Sequence, residues 1–214
     1  MAPGNLIVLE GIDGSGTTTQ AQLVAQALRQ RGEEVLVEAE PTTGDIGRLI
    51  RQRLRDGRVP WAVMALLFAA DRQEHSQLTL SPALVRGASV VCDRYHLSTL
   101  CYQLASCEHE AHAAGMEMAS QFVRQEYEIQ SWLRALASYC EGPDYTILLR
   151  VSVDTALERL TQRSPERDAY ERRDFLERVA AHYEDALTRS PKIHCVNGEQ
   201  LPSEVTADIL AVLR

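Results

Sequence analysis

Apolar positions along the chain fall into two rhythms. Short, largely apolar runs at 6–9 (LIVL), 35–37 (VLV), 89–92 (SVVC), 145–149 (YTILL) and 193–196 (IHCV) read as buried strands. Between them apolar residues recur at helical spacing. Leu23, Val24, Ala27 and Leu28 share one face of a first helix that closes near Gly32. A short helix over 46–54 is expected to leave Arg48, Arg51 and Arg53 exposed, and one opened by Pro60 carries Trp61, Met64, Leu67 and Phe68 before turning polar. Strands separated by helices imply right-handed crossovers and a parallel sheet covered on both faces. Ligands of such α/β folds gather at the carboxyl ends of the strands. No internal repeat or linker-like stretch interrupts the pattern, so one domain over 1–214 is expected.

The first strand runs into Gly11-Ile12-Asp13-Gly14-Ser15-Gly16-Thr17-Thr18-Thr19 and then directly into the first helix. Glycines at 11, 14 and 16 reach backbone angles closed to other residues, so successive N–H groups converge on an anion at the positive end of the helix. Thr18 stands where a hydroxyl ligates magnesium beside the β and γ phosphates. Thr17 stands where an ammonium would bridge them. A neutral hydroxyl does not offset phosphoryl charge, and a glycine-rich turn that binds nothing is the competing reading.

Composition narrows the class. With 45% hydrophobic and 24% charged residues the chain is ordinary for a soluble globular domain, and its net charge of −8 argues against nucleic acid or an anionic membrane as partner. Its polyanionic ligand must then be small. The five cysteines, Cys92, Cys101, Cys107, Cys140 and Cys195, are odd in number and show neither zinc spacing nor CxxC. Reduced, mostly buried thiols in a cytoplasmic protein are expected. No apolar run has membrane-span length, and the amino terminus lacks signal-peptide character.

Further segments carry chemistry. Phe68 and Arg72, four apart on one helix, aim an aromatic plate and a guanidinium fork the same way, as a flat base requires. A core phenylalanine beside a solvated arginine fits the same spacing. Asp93 ends an apolar strand, where a carboxylate holds a magnesium shell or caps the next helix, and Arg94 follows at the strand tip. The segment 162–173 (QRSPERDAYERR) is dense in charge, with Arg163, Arg167, Arg172 and Arg173. By itself such a charge run reads as a solvated helix junction.

These segments together resemble the thymidylate kinases, nucleoside monophosphate kinases of the P-loop class. The likeness rests on EGIDGSG at 10–16, EPT at 40–42, FAADRQEH at 68–75, DRYHLSTLCYQ at 93–103 and PDYTILLRV at 143–151, and it runs over nearly the whole chain. It implies a three-layer α/β/α P-loop NTPase fold with a five-stranded parallel sheet and a lid over about 162–173. The activity implied is transfer of the γ-phosphoryl group of ATP to dTMP, giving dTDP for dTTP synthesis, with Mg2+ held by Thr18 and Asp93. By the same resemblance residues 11–19 bind ATP, Phe68 stacks on thymine, and Arg72 bonds its carbonyl edge. Asp13 contacts the deoxyribose 3′-hydroxyl, Arg94 aligns the acceptor phosphate, and Ser98, Tyr102 and Gln103 border the nucleoside. Asp13, Arg94 and the lid arginines Arg163 and Arg167 are the candidate catalytic groups. A cytoplasmic homodimer without nucleic-acid or membrane partners completes the expectation.

The chain also departs from the family pattern. Thr17 replaces the loop lysine, Ala169 follows Asp168 where many relatives carry arginine, and Arg150 stands where relatives often place aspartate. An arginine from the lid is the expected substitute for the lysine. The stretch 104–142 is longer than its counterpart, and Met116, Met118, Phe122, Trp132 and Leu136 within it suit a dimer face or core anchors. His109 and His112 there have a metal-compatible spacing, with solvated imidazoles the plainer reading. Two other functions stay open: a kinase for another deoxynucleotide or deoxynucleoside, and a noncatalytic nucleotide-binding paralogue.

Overall fold

Strands β1 (Leu6–Glu10), β2 (Val35–Ala39), β3 (Ser89–Asp93), β4 (Tyr145–Arg150) and β5 (Ile193–Asn197) form one parallel sheet in the order β2-β3-β1-β4-β5. This is the architecture of the computed structural model, which describes residues 3–57, 59–163 and 172–213. The strand order reverses at β1, which pairs with β3 on one side and β4 on the other. The crevice at that reversal is where ligands of open α/β sheets bind. Register then fixes the neighbours there: Leu9 pairs with Asp93, so the chain leaving β1 and the chain leaving β3 emerge side by side.

Alternation along the strands explains the layers. Ile7 and Leu9 of β1, with Val91 and Ile147, pack against Val24 and Leu28 of α1 (Thr17–Gln30). Leu6 and Val8, with Val90 and Cys92, face the opposite side. Complete burial of each such side chain contributes roughly 1.5–3 kcal/mol, which makes the sheet a rigid platform for the loops at its end.

The connections after β2 are α2 (Asp45–Asp56) and α3 (Trp61–His75), the latter running through a π-helical turn (Ser76–Leu80) into α4 (Ser81–Val85). After β3 come α5 (His96–Ala113) and α6 (Met116–Ala135); α7 (Val153–Arg163) and α8 (Arg173–Arg189) follow β4, and α9 (Pro202–Val212) follows β5. The Glu40–Pro41 peptide is cis. Within the long stretch 104–142, Phe122 is buried with Cys107 and Ala111, Trp132 meets Trp61 edge to face at 5.7 Å, and Leu136 packs on the main core. These three are anchors, and Met118 is exposed.

One expectation needs correction. Arg48 and Arg53 are exposed, but Arg51 is half-buried because its guanidinium folds back to donate to the carbonyls of Pro41 and Thr42. Cys92, Cys101 and Cys107 are buried, Cys195 is exposed, and all five cysteines are free thiols. His109 and His112 are exposed, and His112 Nδ1 lies 2.8 Å from the Glu108 carbonyl. Among the described residues no helix is long and apolar enough to cross a membrane.

Candidate active site

The loop after β1 is shaped by its glycines. At Gly14, φ is +84°, and an added Cβ would lie 2.5 Å from the Ala156 carbonyl oxygen of α7, so only glycine allows that approach. Gly16 caps α1 with φ +100°. No side chain bonds to that helix start and no carboxylate occupies its first turn, so its N–H groups and dipole are left for a bound anion.

Beneath the loop, Thr18 Oγ1 donates to Asp93 Oδ2 at 2.5 Å, while Asp93 Oδ1 is buried without a protein partner. A threonine hydroxyl beside an under-satisfied carboxylate is the hard-oxygen set that magnesium takes with substrate phosphates and water. Among the described residues no cluster of three or more His, Cys, Asp or Glu forms a separate metal cage. Thr17 is buried. The guanidinium groups at the loop are instead those of Arg94, whose Nη1 donates to the Gly11 carbonyl at 2.7 Å, and Arg159 of α7, whose Nη1 reaches the Gly14 and Ser15 carbonyls at 3.4 Å. Arg159 Nη2 also holds Gly198 at 3.0 Å, on one wall of a cleft shared with Gly16, Thr19 and Leu201.

On the other side of the loop a cavity is lined by Asp13, Phe68, Arg72, Arg94, Ser98, Tyr102 and Gln103, and also by Thr99, Glu40 and Pro41. Helical period explains the α5 contribution: Ser98 and Tyr102, and beside them Thr99 and Gln103, are each four apart on adjoining rows. Arg72 is buried, and its Nε meets Glu40 Oε2 at 2.8 Å, its Nη2 meets Thr99 Oγ1 at 2.7 Å, and its Cζ lies 5.0 Å from the Tyr95 ring centroid. Burial works against the Arg72 charge, yet Glu40 pushes its pKa up. Gln103 is fully buried with neither amide atom bonded to protein, an orientation that fits an incoming ligand edge.

Asp13 joins the two sides. Its Oδ1 accepts Arg94 Nη2 at 2.8 Å and its Oδ2 accepts the Tyr102 hydroxyl at 3.0 Å. Arg94 is the one non-glycine residue with positive φ among those described, +67°. Desolvation opposes its charge, but Tyr102 and Asp13 outweigh it and push the pKa up.

Arg163 ends α7 one turn beyond Arg159. Arg167, Asp168 and Ala169 lie outside the described residues, as does the rest of 164–171. Arg173 pairs with Asp154 at 2.6 Å, and Arg150 pairs with Glu184. Sequence reasoning missed Thr99, Arg51, Arg159 and Glu10. Thr99 was recoverable from its place four before Gln103, and Glu10 from being a carboxylate inside an apolar strand. Arg51 and Arg159 reach carbonyls distant in sequence, which no local pattern marks.

Comparison with known proteins agrees with this geometry. The family model described as thymidylate kinase matches residues 9–209. A probable thymidylate kinase of Pyrococcus horikoshii is 35% identical over 217 residues, covering 99% of this chain and 96% of its own length. A thymidylate kinase of Thermomicrobium roseum is 38% identical over 213 residues, covering 94% and 90%. The structure of the Candida albicans thymidylate kinase superposes with a TM-score of 0.82 at 26% identity, over 100% of this chain and 92% of that one. The chain therefore belongs to the thymidylate kinase family.

Proposed function

We propose that this chain transfers the γ-phosphoryl group of ATP to the 5′-phosphate of dTMP, giving dTDP. The observation that carries the reading is that one loop serves two sites: Asp13 and Arg94 tie the cavity beside Phe68 and Arg72 to the start of α1, whose N–H groups no side chain caps. In-line transfer needs two phosphate groups held end to end, and this loop is the shared wall. Residues 11–19 hold the donor phosphates through backbone N–H groups, and the donor base lies toward Arg159 and Gly198. Phe68 and the remaining Nη1 of Arg72 face the acceptor base, Gln103 pairs with its polar edge, and Arg94 aligns the acceptor phosphate. Thr18 and Asp93 would hold Mg2+, which neutralises charge shared by the donor oxygens. Little covalent chemistry falls to the protein, whose part is positioning and charge stabilisation.

The lysine-free loop makes the lid arginines, Arg163 with Arg167, the source of positive charge for the transferring group. Free thiols and an acidic surface favour a cytoplasmic setting. Exposed Leu49 on α2 and Val63 and Leu66 on α3 favour a homodimer.

The test is turnover with ATP and Mg2+, in which dTMP is used in preference to dUMP, dCMP and thymidine. Preference for another acceptor assigns a different base or a nucleoside. Tight ATP binding with no product from any acceptor would overturn the reading.

A further inference from the structure

Three buried polar side chains from distant parts of the chain meet behind Arg94. Glu10 ends β1, Ser98 sits in the first turn of α5, and Tyr183 lies within α8; they are 0%, 8% and 2% exposed. Glu10 Oε1 accepts the Tyr95 backbone N–H at 3.1 Å. Its Oε2 receives the Tyr183 hydroxyl at 3.1 Å and also the Ser98 hydroxyl. Ser98 Oγ in turn accepts Arg94 Nη1 at 3.2 Å and lies 2.8 Å from the Tyr183 oxygen.

The charges of Arg94 and Glu10 order these hydrogens. Arg94 can only donate, so the Ser98 oxygen accepts from it and the Ser98 proton goes to Glu10. The Tyr183 proton also goes to Glu10, and three donors then converge on one carboxylate. That carboxylate holds the residue immediately after a strained position. A non-glycine residue at φ +67° costs about 1–2 kcal/mol and persists only where its surroundings over-determine it. Here the Leu9 carbonyl takes the Arg94 N–H at 2.9 Å and Glu10 takes the next N–H along. A buried carboxylate is poor economy as a stabiliser, since desolvation opposes it. Burial pushes the Glu10 pKa up, against the opposing pull of Ser98 and Arg94.

We propose that Glu10 and Tyr183 are positioning residues for the acceptor phosphate. Acting through Ser98 and the Tyr95 amide, they fix the backbone turn and guanidinium direction of Arg94. This rests on the reading of Arg94 as the acceptor-phosphate ligand, and neither residue touches substrate.

The experiment is a double-mutant cycle read in kcat and in KM for each substrate. Tyr183→Phe removes one oxygen and keeps the ring, so the fold is retained and checked by its Tm. It is expected to raise KM for dTMP and lower kcat/KM for dTMP by roughly tenfold to a hundredfold, with KM for ATP unchanged. Glu10→Gln, which presents one acceptor oxygen and an amide donor, is expected to do the same more severely. In an Arg94→Lys background Tyr183→Phe should add less than about threefold, because the group it positions is gone. Equal fold losses in both backgrounds, equal rises in both KM values, or a lowered Tm with wild-type constants would overturn the proposal. If wild type turns over a different monophosphate, the dTMP reading fails while the same cycle on that acceptor still tests Glu10 and Tyr183.

Discussion

Gln103 and Arg163 are the residues on which the proposed chemistry turns. An unpartnered buried amide costs roughly 1–3 kcal/mol in the free protein, a cost repaid only when a ligand edge arrives. Gln103→Met, nearly isosteric and apolar, is therefore expected to raise the Tm by about 2–4 °C per kcal/mol recovered while raising KM for dTMP about tenfold or more. Thermal melts and acceptor kinetics on one preparation check both halves, and a variant that loses stability and affinity together would make Gln103 an ordinary core residue. For the missing ammonium, arginine groups delivered to a transferring phosphoryl group are worth roughly 10³–10⁵ in kcat. Arg163→Ala or Arg167→Ala should lower kcat by at least about 10³ on that scale, and Thr17→Ala by less than about tenfold. Comparable small losses in all three would place the compensating charge elsewhere, with Arg159→Ala the next variant to measure.

At the scale of elements, what the sequence disclosed was whatever period and local geometry control. The five strands came from apolar runs and the loop from its glycines, whereas Ser98, Tyr102 and Gln103 came from the family resemblance alone. What stayed hidden depends on contacts between distant segments. The second helix looked like a solvated arginine ladder, yet Arg51 turns inward to two carbonyls because α2 packs beside the 40–44 loop. The end of α3 hid another such contact: His75 lies against Glu40 Oε1 at 3.1 Å and Glu38 Oε2 at 3.4 Å. Burial pulls the His75 pKa down, but its hydrogen bonds and attraction to Glu38 and Glu40 prevail and push it up to about 9. A folded-state pKa above the unfolded value near 6.5 means stability that is fully present below about 6.5 and is lost as pH rises through about 9. The amount is on the order of 3 kcal/mol. Urea titrations of wild type and His75→Gln between pH 6 and pH 9.5 should converge at the alkaline end, since only wild type loses this contribution; parallel curves would mean the imidazole is neutral throughout.

The chain carries a net charge of −8, and among the described residues ten large apolar side chains are exposed. Val63 and Leu66, three apart on α3, are 45% and 52% exposed, and Leu49 of α2, the helix packed beside α3, is 38% exposed. A second exposed pair, Val123 and Tyr127 on α6, is four apart. A two-fold dimer is self-complementary, and a pair of adjacent helices meets its copy over a broader area than a single helix does. The α2/α3 face is therefore the expected contact, and α3 carries Phe68 and Arg72 on its other rows, so dimerisation would stiffen the wall of the acceptor cavity. Light scattering should give twice 23.9 kDa for wild type and the single-chain mass for Leu66→Glu, with Tyr127→Glu still dimeric. Dissociation by Tyr127→Glu alone would move the interface to α6. If the α2/α3 contact does support the cavity, the Leu66→Glu monomer should also bind dTMP more weakly while its affinity for ATP, whose proposed site has no wall on α2 or α3, stays the same.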